Sequence, residues 1–178
     1  MRPFSTVAML KQPRDEVWLE IRDRLAELVP RLGDIRAVVP LERSSEGSLT
    51  RIVNRWEAEP KIPHALASAL KVDAIQWIDR AEWNDVTREC HWRVEPLFFS
   101  DRVRCAGVTT YETAMRGRGT KIVFRGELNV TVGSILGGTV GAAVESFVTA
   151  LIPKNFQALA NAAASALEAR GDGRPLTR

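Results

Sequence analysis

Between Leu128 and Leu167 the chain carries only two charged residues, Glu145 and Lys154, whereas the rest is dense with both signs. Small residues fill much of this stretch: Gly133, Gly137, Gly138, Gly141, Ala142 and Ala143, then an Ala-rich run from Ala158 to Ala166. A segment so long and apolar has three outlets. It can be a buried helix, a membrane-inserted helix, or a helix held against a concave apolar surface. Gly133, Gly137 and Gly141 stand in a tandem GxxxG register that would pair helices inside a membrane. The insertion arithmetic does not favour a span. From Val130 to Ile152, ten strongly apolar residues contribute roughly −3 to −6 kcal/mol, and an acid near mid-span costs roughly +2.5 to +3.5 kcal/mol. Glycines and hydroxyl residues add further cost, so insertion sits near break-even.

The segment's role depends on what precedes it. Phe4–Leu10 reads as a strand, and Gln12 to Glu16 opens a helix with Pro13 near its first turn and acids where the helix dipole favours them. Val17, Ile21, Leu25, Leu28, Val29 and Leu32 form one apolar stripe, which Pro30 and Gly33 end. Glu20 and Arg24 pair at i,i+4 on the wet side. From Asp34 to about Val130 the period changes to alternation. Turns are expected at Ser44–Ser48, Asn84-Asp85 and Arg116–Gly119, with a short helix at Lys61–Val72 opened by Pro63. Ile122, Phe124, Gly126, Leu128 and Val130 share one strand face; Lys121, Arg125, Glu127 and Asn129 share the other. Val103, Cys105, Gly107, Thr109 and Tyr111 align likewise, as do Cys90, Trp92 and Val94. The sheet is therefore apolar on one side and a mosaic of Arg and Glu on the other. A one-faced sheet needs a cover, and the apolar segment supplies it as a long helix kinked at Pro153.

At 178 residues with 45% hydrophobic content, the chain suits a single α+β domain over residues 1–170, followed by a flexible tail at 171–178. Net charge is +3 with no block of like charge, which argues against nucleic-acid binding and leaves room for transient contact with an anionic membrane. Two cysteines are too few for a disulfide scaffold, and the first residues lack the apolar core of a secretory signal. The expectation is a cytoplasmic protein with reduced thiols.

The order of strand, helix, six-strand meander interrupted by a short helix, and long C-terminal helix resembles the helix-grip fold of the START/Bet v 1-like (SRPBCC) superfamily. The resemblance covers about residues 4–169. It is carried by the Pro13–Leu32 helix, the Trp-bearing strands Arg55-Trp56-Glu57 and Ala81-Glu82-Trp83-Asn84, and the terminal pattern Gly137 to Glu145. In plan it is similar to a bacterial branch near the phospholipid-transfer proteins. The resemblance implies an antiparallel sheet of about seven strands wrapped around the last helix, with a cavity between them for a lipid or other hydrophobic small molecule. Polyketide cyclases of this superfamily place polar catalytic groups in that cavity, and ring hydroxylases carry a His/His/Asp iron site there. This chain has only His64 and His91, and alternation puts His91 on the outer face, so neither metal nor cofactor is expected.

Candidate ligand contacts are Trp56, Trp77, Trp92, Tyr111, Phe124, Glu145, Phe147, Val148 and Leu151, with Trp83 and Phe156 nearby. The same aromatics could equally fill an ordinary core. Glu145, the only charge from Val130 to Ile152, is either a cavity acid able to orient a ligand or donate a proton, or an exposed acid early in a helix. Gly133, Gly137, Gly138 and Gly141 are candidates for a gate at the cavity mouth, or for close approach of helix to sheet. Cys90 and Cys105 stand at roughly mirror positions about the Pro96–Asp101 connection, so they read as buried, reduced thiols that could be cross-strand neighbours. Three functions remain open. They are binding or transfer of a hydrophobic molecule, a cyclase/aromatase-like enzyme using Glu145 or Tyr111, and an interaction module whose cavity is filled.

Overall fold

A computed structural model describes residues 2–59, 75–97, 102–131 and 138–171. The short helix expected at Lys61–Val72, His64, the gate glycines Gly133 and Gly137, and the tail beyond Gly171 lie outside the described residues. So do the side chains of Glu145, Phe147, Val148 and Leu151, and the surroundings of Gly138 and Gly141 within their helix.

The chain runs β1 (Arg2–Leu10), α1 (Arg14–Asp23), a 3-10 segment (Leu25–Arg31), β2 (Ile35–Glu46) and β3 (Leu49–Ala58). It continues through β4 (Ile75–Asn84), β5 (Glu89–Pro96), β6 (Val103–Ala114), β7 (Gly119–Val130) and α2 (Gly138–Gly171). The strands form one sheet in the order β1-β7-β6-β5-β4-β3-β2, every neighbouring pair antiparallel. First and last strands are thus neighbours, and α1 with the 3-10 segment carries the chain from that edge to the other.

The expected faces are the observed ones. Ile122, Phe124 and Leu128 on β7, and Val103, Cys105, Thr109 and Tyr111 on β6, are at most 4% exposed, whereas Arg125 and Glu127 face outward. α2 covers the apolar face. Ala160, Ala162, Ala163 and Ala166 are buried at its contact surface, where small side chains let a helix approach its neighbours closely. Phe156 reaches inward from the same helix and stacks on Phe124 with ring centroids 4.4 Å apart. α2 runs through Pro153 without ending. Among the described residues no helix is long and apolar enough to cross a membrane.

Several local expectations are corrected. The helix predicted from Pro13 to Leu32 is broken: α1 ends at Asp23 and the chain then winds as a 3-10 segment. Pro30 keeps the 25–31 stretch from continuing as α-helix, because it offers no N–H and its ring would crowd the Ala26 carbonyl; the break at Asp23–Arg24 lies upstream of its reach. Glu20 is not on the wet side with Arg24. It is 2% exposed and pairs with Arg170, because the end of α2 lies over this face of α1. The Ser44–Ser48 turn is tighter than predicted. β2 continues to Glu46, which pairs with Leu49, and the reversal is Gly47-Ser48 with Gly47 at φ +57°, a conformation glycine adopts without strain. The Asn84-Asp85 turn is longer, spanning Asp85 to Arg88, so β5 starts at Glu89 rather than Val86. Asn84 Oδ1 holds this turn by accepting from the N–H groups of Val86 (2.9 Å) and Thr87 (3.2 Å).

Candidate functional site: an aromatic cavity with one carboxylate

Inward-facing residues of β3 to β7 and the middle of α2 enclose a cavity of about 180 Å3. Its most ordered wall is a cross-strand pair. Trp56 and Trp77 are register partners on β3 and β4, and their rings stack 5.6 Å apart at 14°. Strand alternation returns Trp83 to the same face of β4, and Trp92 enters from β5. The Trp92 indole N–H donates to Thr109 Oγ1 at 3.0 Å, which satisfies a buried donor and fixes the ring. That ring lies against Gly107 and Gly126. A Cβ on Gly107 would stand 2.5 Å from it, and one on Gly126 2.7 Å, so only glycine admits the indole.

One end of the cavity is closed by α1 and the 3-10 segment, through Ile21, Leu25 and Leu32. Trp18 of α1 backs this closure, meeting Trp83 and Tyr111 edge-on at 4.9 and 5.0 Å. α1 is pinned by Asp85 in the β4–β5 turn. Its carboxylate accepts from Trp18 Nε1 at 2.8 Å, Arg22 at 2.5 Å and Arg88 at 3.1 Å. The closure is therefore a docked helix, held by two α1 donors, Trp18 and Arg22, on one acid that Arg88 of the same turn also supports.

Into this apolar space projects one carboxylate, Asp79, from the middle of β4. It occupies the inward row with Trp77 and Ala81, opposite Asn54 on β3 and Val94 on β5. Burial pushes its pKa from 3.8 up to about 6, opposed by the Trp56 indole and the Asn54 amide as donors. The Trp56 N–H lies close enough to act on the charge, yet it reaches full hydrogen-bond geometry with no protein acceptor. No Lys, Arg or His lines the cavity among the described residues. The thiol of Cys90 is raised well above its ordinary value by burial and then by the Asp79 charge. Burial similarly raises the Tyr111 phenol and takes Cys105 to about 12. At neutral pH these three stay protonated, so among the described cavity residues Asp79 is the one whose charge changes near neutrality.

No family model and no curated protein sequence matches the chain. Solved structures do. TTHA0849 from Thermus thermophilus superposes with a TM-score of 0.68 at 19% identity, over 95% of this chain and 99% of that one. The Zhui aromatase/cyclase from Streptomyces sp. R1128 gives 0.71 at 17% identity, over 96% and 95%. Ara h 8.0201, a Bet v 1-like structure, gives 0.56 at 14% identity, over 92% and 98%. The chain has the helix-grip fold.

In this helix-grip chain, the predicted contacts Trp56, Trp77, Trp92, Tyr111 and Phe124 come together around one cavity, joined by Trp83 and Phe156. His91 is exposed on the outer face, as alternation requires. Cys90 and Cys105 are both buried and free, but they are not cross-strand partners. Cys90 lies opposite Thr109, and Cys105 opposite Val94. The length of the β5–β6 connection shifts the register away from a symmetric pairing. Asp79 is the cavity residue the sequence reading passes over. Its signal is parity, for Trp77, Asp79, Ala81 and Trp83 alternate on one face.

Proposed function

We propose that the protein binds a compact hydrophobic small molecule between the sheet and α2. The observation that carries this is the cavity itself, about 180 Å3 lined by tryptophan and phenylalanine faces. Apolar cavities of about 150 Å3 stay dry and accept a benzene-sized ring. On that scale the site suits a ring-bearing ligand better than a long acyl chain, so a lipid is the less favoured form of hydrophobic ligand. The four glycines Gly133, Gly137, Gly138 and Gly141 remain proposed as the gate, and transient membrane contact belongs to the same proposal.

The direct test is thermal unfolding with toluene. A ligand that binds only the native state stabilises it by about 2.7 kcal/mol at a hundred times its Kd. Toluene should raise the melting temperature of the wild type and leave unchanged that of Val94→Trp, whose new ring fills the space. Equal responses of the two proteins would remove the cavity from the explanation.

A second reading has its own observation. Asp79 titrates near pH 6, so it can take and return a proton at neutral pH, as acid–base chemistry on a bound substrate requires. Tyr111, with its pKa raised, serves as a hydrogen-bond donor rather than a base. A cyclase/aromatase-like reaction would then use Asp79 in place of the expected Glu145 or Tyr111. Turnover of a bound substrate that is lost in Asp79→Asn with affinity retained would establish it.

A further inference from the structure

Among the described residues, the cavity contains a charge without a counter-charge. Asp79 lines the cavity half-buried, and among the described residues the side chains that act on its charge are the Asn54 amide and the Trp56 indole, both neutral. Structural buried carboxylates are held by an Arg or Lys, as Glu20 is by Arg170 here. Asp79 has no such partner in a cavity with no basic lining residue among those described.

What surrounds Asp79 is equally specific. Trp77 precedes it in the same inward row, stacked on Trp56, and Ala81 follows it with a side chain too small to cover it. Trp83 and Trp92 supply further indole rings. The negative face of an indole attracts a cation within about 6 Å of its centroid, most strongly where water is excluded. A carboxylate beside indole faces, with no protein cation among the described residues, is the complement of an organic cation.

Resting on the cavity-binding proposal, we infer that the ligand is an aromatic or alicyclic amine bound as its ammonium ion. Its ring occupies the apolar space, and its N–H groups donate to the Asp79 carboxylate against the Trp56–Trp77 pair. Binding then needs Asp79 ionised. Among the described residues, the other titratable groups lining the cavity are Cys90 on β5 and Cys105 and Tyr111 on β6, all protonated at neutral pH. β3 presents Asn54 and α2 presents Asn155, which do not titrate.

Three probes of one shape test this: benzylamine, benzyl alcohol and toluene, titrated at pH 7.5 and pH 5 against wild type and Asp79→Asn. Benzylamine should bind the wild type about ten-fold tighter than benzyl alcohol at pH 7.5, a charge-assisted bond plus a cation–π contact exceeding a neutral one. That preference should vanish at pH 5 and in Asp79→Asn, while toluene binds both proteins alike. Toluene binding by the variant shows that its cavity is intact. Benzyl alcohol binding as tightly as benzylamine would overturn the amine inference and leave the cavity standing, as would a preference that survives Asp79→Asn. If none of the three binds, the cavity proposal fails and the inference fails with it.

Discussion

Replacing Asp79 with asparagine should stabilise the ligand-free protein, and only at pH values where aspartate is charged. Burial raises the folded-state pKa from 3.8 to about 6, so the native state holds this proton more tightly than the unfolded chain. The associated stability is fully present below the unfolded value, is lost as pH rises through about 6, and is flat above. The whole difference corresponds to about 3 kcal/mol. Asparagine has no charge to desolvate and keeps one carbonyl to accept from Asn54. The expected gain is therefore about 2–3 kcal/mol at pH 8, falling to about 0.5 kcal/mol at pH 4. For a chain of this length the larger gain is about 4–12 °C in melting temperature. The assay is urea unfolding of both proteins at pH 4, 6 and 8, followed by tryptophan fluorescence. A gap that does not change with pH would refute the argument. So would a variant less stable than wild type at pH 8, which is the signature of a carboxylate already paired with a cation.

Two further substitutions test the packing that shapes the site. Gly107→Ala drives a Cβ into the Arg125 carbonyl oxygen and places it 2.5 Å from the Trp92 ring, and the carbonyl cannot swing aside. It should cost about 1–3 kcal/mol or more by chemical denaturation, and a cost under about 0.5 kcal/mol would contradict so close an approach. Arg170→Ala leaves Glu20 buried without its cation. Because the Arg170 side chain is 39% exposed, the loss should fall to about 2–3 kcal/mol, below that of a fully buried pair. Adding Glu20→Gln should recover part of it, and no recovery would show that the charge is not the cause.

Alternation made the sheet legible because a strand has only two faces, and one of them is wet. Once Phe124 and Ile122 share a face, their neighbours Lys121 and Arg125 must share the other. The same rule reaches Asp79, which has the parity of Trp77 and Trp83. Its acidity instead suggests the charged outer mosaic, where Arg80 and Glu82 do lie. Charge type and parity conflict at this position, and parity wins. Glu20 is different, because nothing in its own helix shows that α1 is covered on two sides. Its burial depends on where α2 ends, about 150 residues later in the chain. Turn lengths and the Cys90–Cys105 register fail for a related reason. A pattern of faces survives a shift of two residues, so it fixes which side chains point inward without fixing what stands opposite them. The aromatic set is legible as inward-facing, but the space among those rings is a property of packing.

The central claim is that an apolar ring enters the space between sheet and α2 and touches the tryptophans that line it. The five indole N–H resonances of the protein measure this directly during a toluene titration. Trp56, Trp77, Trp83 and Trp92 line the cavity, whereas Trp18 lies behind it with its N–H held by Asp85. The first four resonances should shift together along one saturating curve, with the Trp18 resonance moving least. No shift at saturating toluene, or a shift led by Trp18, would contradict the account.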